Sequence, residues 1–273
     1  MFVVCDLLFG AYLKVVLWTK RGKFILASLL LTGGFFATQL VGYSWRYQTI
    51  LGLAVLTIIL SALVLSGELR GIQWLACLIL PVLYTTSVSL FYFLLPEKLL
   101  MRIVILGAFA IGMYAILLTK NIFSIASGRT IQLLRAAQAV DFLMSLITAF
   151  FLYNAIFSYK LTPWLNFLLV FFVSLPLFFQ SIWSIELKEK ISRIDLFFIG
   201  SLSFLTAQTA YTISFWPLSI LLYSLFLVSF FYIAIGLMQH YLSGRLFKKT
   251  VREYLQIAMV VLIVTFLAAR WGK

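Results

Sequence analysis

Asp141 and the polar residues near it form the part of the sequence best suited to chemistry. Gln138, Asp141, Ser145 and Thr148 are spaced three, four and three residues apart, so on a helix they make one polar stripe. The surrounding residues are apolar enough to cross a membrane, where lipid cannot satisfy such a stripe. Because an ionisable group inside a membrane is a candidate for function, Asp141 could bind a proton or sodium ion that drives transport.

A structural role for Asp141 is the alternative. The predicted helix covers 136–157, which places Asp141 about 8 Å from its start at 1.5 Å per residue. At that depth the carboxylate could pair with Arg135 or another basic residue, and a helix N-terminus favours an anion in any case. Both interpretations stay open on the sequence alone.

Two further glutamines and two prolines complete the candidate site. We expect Gln180 and Gln208, on the sixth and seventh spans, to line a polar cavity with the Asp141 stripe. Pro81 and Pro176 are candidate helix breaks, because a proline inside a transmembrane helix frees a backbone carbonyl that another group must satisfy.

The two prolines also suggest an internal repeat. Leu80-Pro81 and Leu175-Pro176 are each followed by a polar patch and then by a charged turn, at an offset of about 95 residues. That offset equals three spans, so spans 2–4 and 5–7 would form an inverted-topology repeat of the kind that builds many transporters. Chance recurrence of Leu-Pro pairs in a leucine-rich chain is the alternative.

The elements that carry these residues are membrane-spanning helices. The chain is 64% hydrophobic and 11% charged, whereas soluble proteins are about 25% charged. The run 196–244 lacks any Asp, Glu, Lys or Arg and must hold two crossings with a turn at Pro217, because one crossing needs roughly 20 residues. The predicted fold is an all-α polytopic bundle in a single integral membrane domain, 1–273, without a soluble domain; its nine spans lie at 24–42, 48–66, 72–95, 102–119, 136–157, 162–184, 195–215, 217–239 and 254–269.

Residues 2–18 leave the span count open between nine and ten. They are apolar, but Asp6 and Lys14 lie on one helix face. The segment is therefore either a helix lying in the membrane interface or a tenth span whose ion pair faces the bundle.

Loop charges predict the orientation. Of the 21 Lys and Arg residues, fifteen fall on one side of the nine spans and six on the other. The positive-inside rule places the richer side in the cytoplasm and the C-terminus outside a bacterial-type cell membrane. The net charge of +13 is scattered over short connections, which predicts contact with anionic lipid headgroups and not with nucleic acid. Residues 240–253 resemble a short amphipathic surface segment that holds such lipid or docks a protein partner.

Missing residue types exclude several chemistries. Three aspartates and one histidine, His240, cannot supply paired aspartate-rich motifs or a zinc-protease H-E-x-x-H, and no lysine is predicted within a span. The sequence therefore predicts no enzyme, metal or cofactor. We expect a permease-like protein for a small or amphiphilic solute. A non-catalytic membrane subunit or scaffold is the main alternative, and a lipid-modifying membrane enzyme is the third. A permease should have a polar cavity near the midplane, whereas a scaffold should have a dry, closed core.

Overall fold

Nine helices account for nearly all of the structure. The computed structural model describes residues 20–41, 45–66, 71–95, 99–126, 133–188 and 190–269. Within these ranges there is no strand, and the helices are α1 Lys20–Leu40, α2 Arg46–Leu65, α3 Gln73–Tyr92, α4 Leu99–Ala126, α5 Leu134–Ser158, α6 Pro163–Glu186, α7 Arg193–Ile213, α8 Ile220–Leu242 and α9 Lys248–Ala268. All nine are long and apolar enough to cross a membrane. The predicted nine-span helical bundle is confirmed, while residues 2–18 lie outside the described ranges.

Most predicted helix ends are close to the observed ones. The long uncharged run does divide at Pro217, which lies in the connection between α7 and α8. Residues 240–253 differ from the prediction, since they form no separate surface segment. The apolar face of α8 continues to Leu242, and Lys248 already begins α9, so basic residues extend a spanning helix towards the headgroups.

Neither proline breaks its helix, contrary to the prediction. α3 runs through Pro81 and α6 runs through Pro176 without interruption. A proline removes one backbone hydrogen bond and crowds the preceding turn, but a helix packed among others in a membrane tolerates this loss.

The first eight helices form two units of four. In the first unit, α1–α4, each helix packs against the next, α1 closes the cycle against α4, and α2 contacts α4 across the diagonal. The second unit, α5–α8, shows the same set of contacts, including the diagonal from α6 to α8. One hydrophobic cluster fills mainly the first unit and another fills the second. α9 packs on α8, and only 6% of its span is buried.

This packing repeats at an offset of four helices and not of three. Short connections make neighbouring helices antiparallel, and an even offset gives the two units the same orientation. The inverted repeat of spans 2–4 and 5–7 predicts that α5 and α7 pack together as α2 and α4 do, but α5 and α7 make at most marginal contact. The inverted repeat therefore stays a prediction that helix packing does not reproduce.

Candidate functional site

α4 is longer than predicted and buries a lysine. The sequence placed the end of this span at residue 119 and put Lys120 in a connection, but the helix continues to Ala126. The Lys120 side chain is 0% exposed. Ile116 and Phe123, four residues before it and three after it, lie on the same helix face and are buried too. This apolar spacing in the sequence indicates that the helix continues through the charged residue.

Lys120 forms a buried ion pair with Asp141. Its Nζ lies 2.7 Å from Asp141 Oδ1, and the two side chains are 0% and 1% exposed. Asp141 thus does pair with a basic residue, but the partner is on α4. Arg135, the candidate from the sequence, is exposed. A buried pair of this kind leaves a costly lone charge if either partner is removed.

Gln180 and Ser145 close a ring of polar contacts around this ion pair. Lys120 Nζ donates to Gln180 Oε1 at 2.8 Å, and Gln180 Nε2 donates to Ser145 Oγ at 2.5 Å. Ser145 Oγ in turn donates to the Asp141 backbone carbonyl at 2.7 Å. We call Lys120, Asp141, Ser145 and Gln180 the polar ring. It joins α4 of the first unit to α5 and α6 of the second.

The carboxylate of Asp141 is the least satisfied group in the polar ring. Lys120 approaches Oδ1 closely, but without hydrogen-bond angles, and neither carboxylate oxygen accepts a hydrogen bond from the described residues. Buried carboxylates normally accept several hydrogen bonds. Oδ2 therefore retains lone pairs that no described group uses.

The polar ring lies nearer to one end of the bundle than to its centre. Asp141 comes seven residues after the start of α5, Lys120 six residues before the end of α4, and Gln180 six residues before the end of α6. At 1.5 Å per residue these depths are about 9–11 Å. All three helix ends are on the side with the larger share of Lys and Arg, which we call the basic end and which the sequence predicts to be cytoplasmic.

The other predicted cavity residues have separate positions. Gln138 Nε2 donates to the carbonyls of Ser184 and Ile185, both at 3.1 Å, and so holds α5 to the end of α6. Thr148 is buried and donates to the Met144 carbonyl of its own helix at 2.7 Å.

Gln208 does not join the site. It is exposed on the outer face of α7. Helical spacing already separates it from the buried small residues Ser203, Ala207 and Ala210, which pack that helix. The expected cavity shared by Asp141, Gln180 and Gln208 is therefore not formed. Asp141, Ser145 and Gln180 meet in a closed core, and Gln208 faces outward.

An apolar groove runs along α3 and reaches the second unit at Pro176. It has a volume of about 530 Å³ and is lined by α2, α3 and the residue Pro176 of α6. On the inner side of α3, the buried thiol of Cys77 is within electrostatic reach of both Lys120 and Asp141. The junction of the two units thus combines an apolar outer surface with a charged, buried interior.

Comparisons with known proteins return a family without an assigned activity. A family model described as Protein of unknown function (DUF5656) matches residues 33–268, which include every helix of the polar ring. No curated protein matches the chain. No solved structure matches it either.

Proposed function

The chain belongs to the DUF5656 family of proteins of unknown function, and we propose that it is a permease-like membrane protein that moves a small or amphiphilic solute. The observation that carries this proposal is the buried ion pair between Lys120 and Asp141, which connects two four-helix units. Ionisable groups inside a membrane bundle commonly mark solute, ion or proton pathways. Transporters are often built from repeated units with the site at the interface between them.

In the proposed permease the two units move against each other. Contacts between them run through α3 and α4 on one side and α5 and α6 on the other, while each unit has its own hydrophobic cluster. The polar ring is the buried polar connection at this boundary. In the proposed cycle the described structure is the closed state, in which Asp141 and Gln180 are dry. Opening of the boundary would expose them.

The groove at the junction supports an amphiphilic solute. Its volume of about 530 Å³ lies within the range of small-molecule sites. Trp74, Leu78 and Val82 of α3 provide an apolar wall that begins near the basic end, where α3 starts. An acyl or aromatic tail could enter from the bilayer there, with its polar head at the basic end.

A non-catalytic membrane subunit is the second candidate, and the dry core favours it. Asp141 and Gln180 are 1% and 0% exposed, as expected for a scaffold that never opens. The scarcely buried α9 would then offer a face to a partner. In that case the polar ring would only fix how the two units pack.

Thiol labelling separates the two candidates. In a Cys5→Ala, Cys77→Ala background, Ser145→Cys and Thr148→Cys place thiols beside and beyond Asp141 without removing the ion pair. Membrane-impermeant reagents are then applied from each side of the membrane. A permease predicts slow labelling at both positions as the boundary opens, whereas no labelling after prolonged exposure would reject it. Leu143→Cys, on the exposed face of α5, is the control for a thiol that faces lipid.

A further inference from the structure

We propose that Asp141 Oδ2 is a proton-binding site, and that proton uptake there releases Lys120 and opens the boundary between the two units. The inference deepens the proposed function and rests on it, because it names the coupling ion of the same site. The Asp141 carboxylate is 1% exposed, contacts the Lys120 ammonium through Oδ1 and accepts no hydrogen bond at Oδ2 from the part of the chain that the structure describes.

The ligand of Oδ2 is a proton because the position for a larger cation is already filled. The Lys120 ammonium lies 2.7 Å from Asp141 Oδ1 and 2.8 Å from Gln180 Oε1, where a metal ion would also seek its oxygens. A hard metal cation needs about six oxygen ligands. A proton needs one lone pair, which is what Oδ2 offers.

Proton uptake changes the charge balance of the polar ring. With Asp141 ionised, the Lys120 ammonium is compensated by an adjacent anion. When a proton binds Oδ2, the carboxylate becomes a neutral carboxylic acid and the ammonium is left alone in an apolar interior, which is strongly unfavourable. Gln180 Oε1 is a neutral acceptor and cannot compensate the charge.

The Lys120 side chain is close to the end of its helix at the membrane surface. It lies six residues, about 9 Å, from the end of α4 at Ala126, and a lysine near a helix end can extend towards the membrane surface. Its departure breaks the contacts from α4 to both Asp141 and Gln180. The first unit then loses its buried polar connection to the second.

Other titratable groups lie on the helices that pack on α5. They include Cys77 and Tyr84 on α3, Lys120 on α4, Glu186 at the end of α6, and Tyr223 and Tyr232 on α8, whose rings contact Phe157 and Phe142 of α5. Glu186 is engaged by Lys188 at 2.5 Å, outside the core. Among the described residues, Lys120 is the charge that contacts the Asp141 carboxylate. A proton-dependent change in the polar ring is therefore assigned to Asp141.

Infrared spectroscopy of the full chain in lipid vesicles tests the inference. A protonated carboxylic acid has a C=O stretch that an ionised carboxylate lacks. On acidification we expect this band to grow more in the native protein than in Asp141→Asn, because the other seven carboxylates of the chain also gain protons in both proteins. The same difference should remain when Glu186→Gln is present in both. No difference between the native protein and Asp141→Asn at any pH at which both stay folded would overturn the proposal.

A second variant keeps the test decisive if Asp141→Asn folds poorly. Lys120→Met removes the compensating cation, so the C=O band assigned to Asp141 should be present under conditions in which the native protein lacks it. An unchanged pH dependence of this band in Lys120→Met would also overturn the proposal. The infrared band decides proton binding and thiol labelling at Ser145 decides opening, so a failure of this inference can be distinguished from a failure of the proposed function.

Discussion

Lys120 Nζ lies 2.7 Å from Asp141 Oδ1 although the two residues belong to different four-helix units. The first unit contributes the cation and the second unit the anion, and the two charges compensate each other where the units meet. Their association is therefore tied to the ionisation of two side chains. A change in either charge therefore alters the packing at the boundary between the units.

Removing one partner of the ion pair should lower the free energy of unfolding more than removing both partners. Lys120→Met or Asp141→Leu is expected to lower the free energy of unfolding by about 3–5 kcal/mol at neutral pH, because a lone buried charge remains. The double variant should lie close to the native protein. Denaturant unfolding in detergent micelles measures the free energy of unfolding of the native protein, the two single variants and the double variant. Additive losses in the double variant would show that the two side chains do not interact.

The three glutamines of the predicted cavity should respond differently to leucine. Gln180→Leu removes an acceptor from Lys120 and a donor to Ser145, so a loss of about 1–3 kcal/mol is expected. Gln138→Leu frees two carbonyls at the end of α6 and should cost about 1 kcal/mol. Gln208→Leu should be neutral or stabilising, because its amide is exposed on a face that meets lipid. Equal effects at all three positions would contradict the described burial.

Gly112 and Gly107 on α4 provide a matched pair of positions, one tightly packed and one open, for testing how closely α4 packs against its neighbours. A Cβ at Gly112 would collide with the Tyr84 ring and approach the Met144 methyl to 2.9 Å, whereas a Cβ at Gly107 meets nothing within 4 Å. Gly112→Ala should therefore destabilise by about 1–3 kcal/mol, and Gly107→Ala should be neutral or slightly stabilising. The shift in thermal unfolding temperature measures both, and a stable Gly112→Ala would show that α3 and α4 do not approach so closely.

Lys188, between α6 and α7, provides a pH control outside the membrane-spanning segments. Its hydrogen bond to Glu186 raises the pKa of the ammonium above the usual value, with smaller support from Asp195. A raised lysine pKa gives stability that is present below the usual pKa and is lost as the pH rises through the higher one. We expect Lys188→Met to change unfolding by less than about 1 kcal/mol at neutral pH and to alter the pH profile only under strongly alkaline conditions. A change at mildly acid pH would contradict this assignment.

The sequence predicts the helices well because the bilayer fixes their length and composition. Hydropathy locates all nine, and the turn at Pro217 follows from the length of one uncharged run. Hydropathy places the end of α4 too early, because a charged residue near a helix end is interpreted as part of the connection. Lys120 is buried because Asp141 and Gln180 contact it from other helices. The residue pattern of a single helix does not predict these contacts between helices.

Helix neighbours are the other feature that the sequence does not specify. Pro81 and Pro176 suggested an offset of three helices, whereas packing repeats at an offset of four. Periodicity identifies the polar face of each helix, so Gln138, Asp141, Ser145 and Thr148 were correctly grouped on α5. It does not say which helix each face meets. For that reason Gln208 was placed in a cavity from which the structure separates it.

The pH dependence of thiol labelling at Ser145→Cys tests most directly whether the ion pair controls the boundary between the two units. It is measured with Asp141 intact and in combination with Asp141→Asn. The rates are normalised to Ser243→Cys, an exposed position after α8, which removes the pH dependence of the thiol itself. We expect labelling to increase on acidification when Asp141 is intact, and to be fast and independent of pH with Asp141→Asn. Equal, pH-independent rates in both proteins would show that the ion pair does not control the boundary between the two units.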